Sequence, residues 1–465
     1  MNTRTKTLGH WLLAVAIIVI AFVAGASLRE QQYEMSAPVA NSSVQANALL
    51  KLTPEWSPVA LKDSTQQPNE NRDLVSSIVK LLKTHYVEPI TAERQTQLAH
   101  GAVQGMLASL DDPDTRFLDP KERKLLDEAG SGKFSGIGAV VGLRNEKIGE
   151  LDVTKVVVIA PMPGSPAEKA GLRPGDSITY IGGKWIITND PFKEANLEKL
   201  AKAARNKEID EFTYQKAYDA AFKRLKEGIV ITDALETLTA KSSGEVSIRV
   251  DRPGEAKPID FKLTCGSTVV DPVTARMLKN GMAYIHISQF NRRAVKEFAE
   301  ELKGAQSKHA KALILDLRSN PGGLMDAAVE VVGKIAGGGV MATVQETKRS
   351  RTVKIPAGQK LRLPVVVLVN GGTASVAELT AGDLKENGIA TLVGTRTFGD
   401  GLAQTPLILK DGSAAVLTTG KMLTAKGTDF NGKGIQPDKT IVNEGRGDKQ
   451  LEEAEKVLAA KLGRA

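Results

Sequence analysis

Cysteine is nearly absent from this 465-residue chain, which contains Cys265 and no other. A single thiol excludes an intrachain disulfide and any metal site built from several cysteines. Cys265 lies in a run of strand-forming residues, where a buried, unreactive thiol is the simplest interpretation. Redox chemistry is therefore not expected.

Histidine is also scarce, and its five copies show no paired-ligand spacing such as His-Glu-x-x-His. A zinc hydrolase therefore has no visible ligand set. We predict that the protein holds no metal and needs no cofactor. The five are His10, His85, His100, His286 and His309.

Aromatic residues make up only 4% of the chain, and the basic residues behind its net charge of +8 are interspersed with acidic ones. Nucleic-acid binding needs a concentrated basic face, often with stacking aromatics, so nucleic acid is not an expected partner. With 42% hydrophobic residues the chain can bury a large core, and its length predicts two to four domains.

The N-terminus carries the one long apolar run. Arg4 and Lys6 precede an uncharged stretch from Trp11 to Leu28. This stretch is just long enough to cross a bilayer, while Ala24-Gly25-Ala26 also resembles a cleavage site, so a signal anchor and a removable signal peptide both fit residues 1–29. The anchor is favoured. Either one directs the rest of the chain out of the cytoplasm, which in a bacterium means an inner-membrane anchor with domains in the periplasm, or secretion into it.

Composition divides the remainder into segments. Residues 30–71 are polar and predict a tether, whereas apolar residues at helical spacing predict a helical domain over 72–133. Glycine-rich and β-branched segments predict a β module over 134–263, with a charged helical insert at about 189–241. Apolar strands alternate with helices over 264–441 and predict an α/β core, and a last helix is expected within 442–465.

Two strand-to-helix junctions in the α/β core have unusual composition. The first, from Asp316 to Gly323, ends in paired glycines that leave backbone N–H groups accessible to an oxyanion, although a tight turn alone also needs glycine. The second, from Asn370 to Glu378, places Ser375 in the first turn of a helix. There a serine is either a helix-start residue or a nucleophile with small neighbours.

Seven segments together resemble the C-terminal-processing (tail-specific) serine peptidases, and they occur in that family's order over about residues 100–440. They read GMLASLDDPDTRFLDP, FSGIGAVVG, GSPAEKAGLRPGDSI, LILDLRSNPGGL, NGGTASVAE, TFGDGLAQ and GKGIQPD. The resemblance implies a multidomain α/β serine endopeptidase with a PDZ domain over 134–263 and a peptidase core over 264–441. It also suggests a homodimer through the N-terminal helices.

The resemblance implies roles for several residues. Ser375 matches the nucleophile, and the oxyanion hole would use the amide of Val376 with one from the Gly322-Gly323 turn. Gln404 matches the glutamine that orients the general base. The base itself is a lysine in the family, whereas this chain has Asp400 at that position.

Asp400 reverses the charge that such an enzyme places beside its serine. A carboxylate accepts the hydroxyl hydrogen bond but is a weak base unless burial raises its pKa. Other bases considered are His286, Lys385 and Lys421, none with a matching motif. Two hypotheses therefore stay open: an endopeptidase with an unorthodox base, and a pseudopeptidase that binds C-terminal tails or scaffolds a periplasmic partner without cutting.

The PDZ resemblance predicts a peptide-binding loop formed by Ser135, Gly136, Ile137 and Gly138. In PDZ domains such a loop presents backbone N–H groups to a terminal carboxylate while the peptide extends a strand. The expected partners are proteins with exposed nonpolar C-termini.

Overall fold

The computed structural model describes residues 70–463, apart from 111, 113, 240–242 and 444–446. The predicted membrane segment and nearly all of the tether lie outside these residues. Among the residues described, no helix is long and apolar enough to cross a membrane. The chain divides into two units, and the boundary falls between residues 111 and 112.

The first unit contains two helices, α1 (Glu70–His85) and α2 (Ala92–Ala108). Thr91 caps α2 by accepting a hydrogen bond from the amide of Arg94. Large apolar side chains are exposed on both helices, including Ile78, Leu81 and Met106.

The second unit begins at residue 112, within the segment 72–133 for which the sequence predicts a helical domain. Strand β1 (Arg116–Leu118) pairs with β19 (Ala414–Thr424), about 300 residues further along the chain. Helix α3 (Pro120–Ala129) begins with a capping box: the Asp119 side chain accepts the backbone amide of Glu122, and the Glu122 side chain accepts the backbone amide of Asp119. Strand β2 (Lys133–Phe134) pairs with β10 (Thr268–Val269).

The β module is one sheet in the order β3-β4-β5-β6-β7, with β8 paired to β5 and β9. Alternate burial along β8 shows that only one face packs on the core. Helices α4 (Pro166–Ala170) and α8 (Ile231–Thr239) lie in the same module. Its strands are β3 (Ala139–Ile148), β4 (Leu151–Pro161), β5 (Ser177–Ile181), β6 (Lys184–Ile187), β7 (Ile229–Val230), β8 (Glu245–Asp251) and β9 (Ile259–Thr264).

Three helices form the insert between β6 and β7: α5 (Pro191–Glu194), α6 (Leu197–Arg205) and α7 (Glu211–Glu227). The Trp185 indole of β6 donates to the carbonyl of Arg224, and the Arg224 guanidinium stacks on the same indole. These contacts fasten α7 to the β module.

A six-stranded sheet, in the order β11-β12-β13-β16-β17-β20, forms the centre of the α/β core. All pairings are parallel except that of the edge strand β11. Residues of β13 and β16 are buried throughout, as expected for a sheet covered on both faces. The strands are β11 (Val273–Met277), β12 (Met282–Ile287), β13 (Ala312–Asp316), β16 (Val365–Val369), β17 (Ala390–Gly394) and β20 (Lys439–Thr440).

One face of this sheet packs against α9 (Ala294–Ser307), α10 (Met325–Ala336) and α11 (Val376–Glu386). The C-terminal helix α12 (Lys449–Leu462) covers the other face. A second sheet, in the order β1-β19-β14-β15, also contains β18, which pairs with β19. Its remaining strands are β14 (Gly339–Glu346), β15 (Ser350–Ile355) and β18 (Leu402–Ile408).

Candidate active site

Ser375 lies between the buried strand β16 and helix α11, and its backbone is strained. Its φ of 56° and ψ of −125° differ from the extended backbone that a helix N-cap residue normally adopts. Its Oγ is buried and makes no hydrogen bond with any residue that the structure describes. A strained serine at a strand-to-helix turn resembles a nucleophile elbow, and Ser375 is at the same time the N-cap residue of α11.

The Gly322-Gly323 turn lies directly against this serine. A Cβ on Gly322 would come within 2.9 Å of Ser375 Cβ and 3.4 Å of the Val376 nitrogen, and one on Gly323 would come within 2.2 Å of the Phe290 carbonyl oxygen. Both glycines have positive φ, 101° and 133°. Only glycine fits at either position, and the two junctions therefore form one cleft.

Asn320 connects the two junctions. Its carbonyl oxygen accepts the amide of Ala374 at 2.9 Å, and its Oδ1 accepts the amide of Gly322 at the same distance. The amide of Gly322 is thus used inside the turn. Of the two glycines, Gly323 is the better candidate for an oxyanion donor.

Glu378, one turn into α11, ties the serine to the loop that carries Asp400. Its Oε2 accepts the amides of Ser375 at 3.0 Å and Asp400 at 2.7 Å. Its Oε1 accepts the Thr397 hydroxyl at 2.5 Å and the amide of Gly399 at 2.8 Å. One fully buried carboxyl group therefore fixes the spacing between the two positions.

Burial raises the pKa of Glu378 to about 8, and the negative charge of Asp400 adds to the rise, while the hydrogen bonds that Glu378 accepts oppose it. Asp400 is only 5% exposed and lies close enough for its charge to disfavour the ionised form of Glu378.

Comparison with known proteins identifies this arrangement. Residues 281–441 match the model of peptidase family S41, residues 157–198 match a PDZ domain, and residues 40–122 match the N-terminal domain of the activating protease CtpB. The chain is 30% identical over 398 residues to the carboxy-terminal processing protease CtpA of Bacillus subtilis, covering 85% of this chain and 74% of that protein. This chain belongs to peptidase family S41. The assignment made from the seven sequence segments is confirmed.

Two further relatives agree with the S41 assignment. A carboxyl-terminal-processing protease of Synechocystis is 32% identical over 369 residues, covering 78% of this chain and 74% of that protein. The solved structure of a photosystem II D1 C-terminal processing protease superimposes with a TM-score of 0.60 at 26% identity, covering 84% of this chain and 97% of the other. The multidomain α/β fold with a PDZ domain is therefore confirmed as well.

The alternative bases of this S41 chain are engaged or located elsewhere. His286 and Tyr284 lie on the sheet face covered by α12, whereas α11 packs on the opposite face. Nδ1 of His286 is 3.1 Å from the carbonyl oxygen of Asp316. Lys385 donates to the Gln436 carbonyl at 2.7 Å. Lys421 is exposed on β19, where its backbone pairs with Leu402, two residues after Asp400. None of these contacts directs a base toward Ser375.

Gln404 matches the glutamine that orients the base in the family. It is 1% exposed on β18, where it pairs with Thr418 of the neighbouring strand β19. It follows the Asp400 loop directly. Sequence and structure thus place Asp400 and Gln404 on consecutive parts of one buried segment.

The PDZ module packs on both sides of the cleft. Val140 and Ile159 lie in one apolar cluster with Ala374, the residue before Ser375, and Phe398 packs against the same cluster. The Arg144 guanidinium lies 4.5 Å from the centre of the Phe398 ring. These contacts connect the module to the segments that hold Ser375 and Asp400.

The predicted peptide-binding loop is closed in this structure. The amide of Ile137 donates to the carbonyl of Leu238 at the end of α8, and the Ile137 side chain is fully buried. A Cβ on Gly136 would come within 2.0 Å of that same carbonyl oxygen. Presentation of the Ile137 amide to a peptide carboxylate therefore requires the end of α8 to move.

Sequence reasoning missed two residues of this site, Glu378 and Arg144. Glu378 stands three residues after Ser375, where an acidic side chain is ordinary because it complements the helix dipole. Arg144 stands in a strand of the PDZ module, and nothing in its neighbourhood indicates a contact with Phe398, 254 residues away.

Proposed function

We propose that this chain is a membrane-associated, periplasm-facing C-terminal-processing serine peptidase whose nucleophile is Ser375. The observation that supports it best is the strained Ser375 junction packed against the Gly322-Gly323 turn. This is the geometry that an acyl-transfer site needs, with the nucleophile next to backbone N–H groups on a helix N-terminus.

In this mechanism Ser375 Oγ attacks the carbonyl carbon of the scissile peptide bond and gives up its proton. The carbonyl oxygen becomes an oxyanion that accepts hydrogen bonds from the amides of Val376 and Gly323. The bond to the leaving nitrogen then breaks as that nitrogen takes up a proton, which leaves an acyl-enzyme that water hydrolyses. No metal or cofactor takes part in these steps.

Asp400 occupies the position of the base. Its carboxylate receives the Ser375 proton, and its charge beside the buried Glu378 raises the pKa of Glu378. A carboxylate is a weaker base than a neutral amine, so we expect turnover on the order of 10² to 10⁴ slower than with a matched base.

Substrate class and location follow from the rest of the chain. Its relatives are named for processing carboxy-terminal ends, and the PDZ match supports capture of exposed nonpolar protein tails. The apolar run from Trp11 to Leu28, preceded by Arg4 and Lys6, supports an anchor that leaves the peptidase in the periplasm.

A second candidate function is a tail-binding protein that does not cut. Asp400 favours it, because a carboxylate stands where the family has a lysine. Retained scaffolds without activity are common, since function resides in the site rather than the fold.

The experiment that separates the two is labelling of the full chain with a fluorophosphonate probe, followed by mass spectrometry of the labelled peptide. Wild type, Ser375→Ala, Asp400→Asn and Asp400→Lys are compared, with Ser319→Ala as the matched control, since Ser319 is a positive-φ serine of the facing turn. The peptidase predicts labelling of wild type and Ser319→Ala at Ser375, weaker labelling of Asp400→Asn, and none of Ser375→Ala. If only Asp400→Lys is labelled, the non-cutting function is the correct one.

A further inference from the structure

Three polar side chains form a row on one face of the second sheet. Arg116 of β1 is paired directly with Val416 of β19, and Gln404 of β18 is paired directly with Thr418 of β19. Directly paired residues share a face, as do residues two apart on one strand. Arg116, Thr418 and Gln404 therefore lie side by side on the same face.

This face borders the active-site cleft. Leu118, two residues after Arg116, is on the same face and belongs to an apolar cluster with Leu126 of α3. Leu324, which follows the Gly322-Gly323 turn directly, packs against that cluster. At its other end the row reaches Gln404, four residues after Asp400. It therefore runs from helix α3 to the segment beside Ser375.

Arg116 is the anomalous member of the row. Its Nη1 donates to the carbonyl of Asp114 at 2.9 Å. Its Nε and Nη2 are shielded from solvent and have no hydrogen-bond partner among the residues that the structure describes. The same is true of the Thr418 hydroxyl and of Glu122 Oε1. Buried donors on a charged group are costly when left unpaired, so such a cluster needs a reason.

The charges around Arg116 include two acids, because burial lowers its pKa while the negative charges of Asp114 and Asp112 raise it. Burial lowers the pKa of Arg116 to about 10, which leaves the guanidinium charged at pH 7. Burial raises the pKa of Glu122 to about 8, so this acid is mostly neutral. Its Oε2 accepts the amide of Asp119 at 2.6 Å.

Two carboxylates near Arg116 are partly engaged already. Asp112 accepts the amide of Asp114 and the hydroxyl of Thr115, at 3.0 and 2.6 Å. Asp114 meets Arg116 through its backbone carbonyl. Neither contact pairs a carboxylate with Nε or Nη2 of Arg116.

We propose that Nε and Nη2 of Arg116, together with the Thr418 hydroxyl, bind a carboxylate of a polypeptide lying in the cleft. Nε and Nη2 form a planar fork that matches the two oxygens of a carboxylate. The carboxylate belongs either to the free C-terminus of a tail or to an acidic side chain. This inference rests on the proposed function only in that polypeptides enter the cleft; it requires no cleavage.

The test is calorimetric binding to the full chain in mild detergent. The probes are acetyl-trialanine as the free acid, the same peptide as its C-terminal amide, and an amidated peptide with aspartate in the middle position. Arg116→Met removes the fork and its charge at similar length, Arg116→Lys keeps the charge without the fork, and Thr418→Val replaces the hydroxyl with a methyl group of similar size. The PDZ loop is unchanged in all three variants. Any affinity for a probe that survives these substitutions is therefore assigned to the PDZ loop.

We expect Arg116→Met to lose at least tenfold in affinity for a carboxylate-bearing probe, and Arg116→Lys and Thr418→Val to lose about threefold or more. The amidated trialanine is expected to bind equally to all variants. Loss with the free acid assigns the C-terminus as ligand, and loss with the aspartate probe assigns a side chain.

Equal affinity of wild type and Arg116→Met for both carboxylate probes would overturn the proposal, as would a crystal structure with the free-acid peptide that shows only water at the fork. If Arg116→Met fails to fold, Arg116→Lys replaces it, and wild-type affinity of Arg116→Lys for both carboxylate probes would overturn the proposal. Ser375→Ala is expected to bind like wild type. If Ser375 is not labelled but the affinity depends on Arg116, the peptidase proposal is rejected and this binding site is kept. If Ser375 is labelled but the affinity does not depend on Arg116, the peptidase proposal is kept and this binding site is rejected.

Discussion

Glu378 and Asp400 are joined by a 2.7 Å hydrogen bond from the amide of Asp400 to Glu378 Oε2, the oxygen that also accepts the amide of Ser375. The distance between the proposed nucleophile and the base position is thus set by a third side chain. Glu378 accepts backbone amides of both residues, which makes it a positioning residue.

The first prediction compares Glu378→Gln with Glu378→Ala. The glutamine keeps one acceptor oxygen but turns its NH₂ group towards two of the four donors, so we expect a loss of about 1 to 2 kcal/mol in the free energy of unfolding. The alanine leaves the amides of Ser375, Gly399 and Asp400 without their acceptor, and we expect a loss of about 3 kcal/mol or more. Urea unfolding measures both. Equal losses for the two variants would show that the carboxyl group does not organise the site.

The second prediction concerns the dependence of stability on pH. Burial raises the pKa values of Glu122 and Glu378 to about 8 and of Asp383 to about 7. Between about pH 5 and these values the folded state holds protons that the unfolded state has released. The free energy of unfolding therefore falls as pH rises from 5 to 8.

Urea unfolding at four pH values in that range tests this sign. Glu378→Gln removes one of the three groups and is expected to flatten the slope by at most about 1.4 kcal/mol per pH unit. The acids with lowered pKa, such as Asp448, lose their contribution only below about pH 5, so they leave this window unaffected. A stability that rises from pH 5 to 8 would contradict the prediction.

The third prediction concerns the close approach of Gly322 to Ser375. Gly322→Ala places a Cβ 2.9 Å from Ser375 Cβ at a φ of 101°, and we expect a loss of about 2 to 5 kcal/mol from overpacking and backbone strain. Labelling of Ser375 is expected to disappear. Gly371→Ala is the matched control, because its nearest contact is 4.0 Å away and its φ is ordinary; it should change stability by less than about 1 kcal/mol. Normal labelling of Gly322→Ala would show that the turn does not shape the cleft.

The sequence predicts the parts of this protein that depend on local pattern. Continuous apolar runs such as Val365–Val369 predict buried strands, and the paired Gly322 and Gly323 predict a turn with accessible backbone N–H groups. Family resemblance adds the order of the segments.

Contacts between distant segments could not be predicted in the same way. The Arg116–Leu118 strand is three residues long, too short to carry a periodic signal, and its partner lies about 300 residues away. The four groups that donate hydrogen bonds to Glu378 belong to Ser375 and to residues 19 to 22 positions after Glu378. A helix-start glutamate is common in any sequence, so only the folded chain reveals what it binds.

The last prediction tests whether the PDZ module is coupled to the Asp400 loop through Arg144 and Phe398. The guanidinium lies 4.5 Å from the ring centre, and one of its nitrogens is 3.5 Å from the carbonyl oxygen of Phe398. A double-mutant cycle with Arg144→Met and Phe398→Leu removes each partner while keeping an apolar side chain. We expect a coupling of about 0.5 to 1 kcal/mol in the free energy of unfolding, the usual range for a partly exposed cation–π pair.

Arg249→Met with Tyr180→Leu is the matched control, because this pair has similar geometry, 5.3 Å, but lies wholly within the PDZ module. Both cycles are expected to show coupling in stability. Only Arg144→Met is expected to change the rate of fluorophosphonate labelling at Ser375, since only Phe398 lies in the loop held by Glu378. If the Arg249 variant changes that rate equally, the effect comes from the stability of the PDZ module and not from this contact.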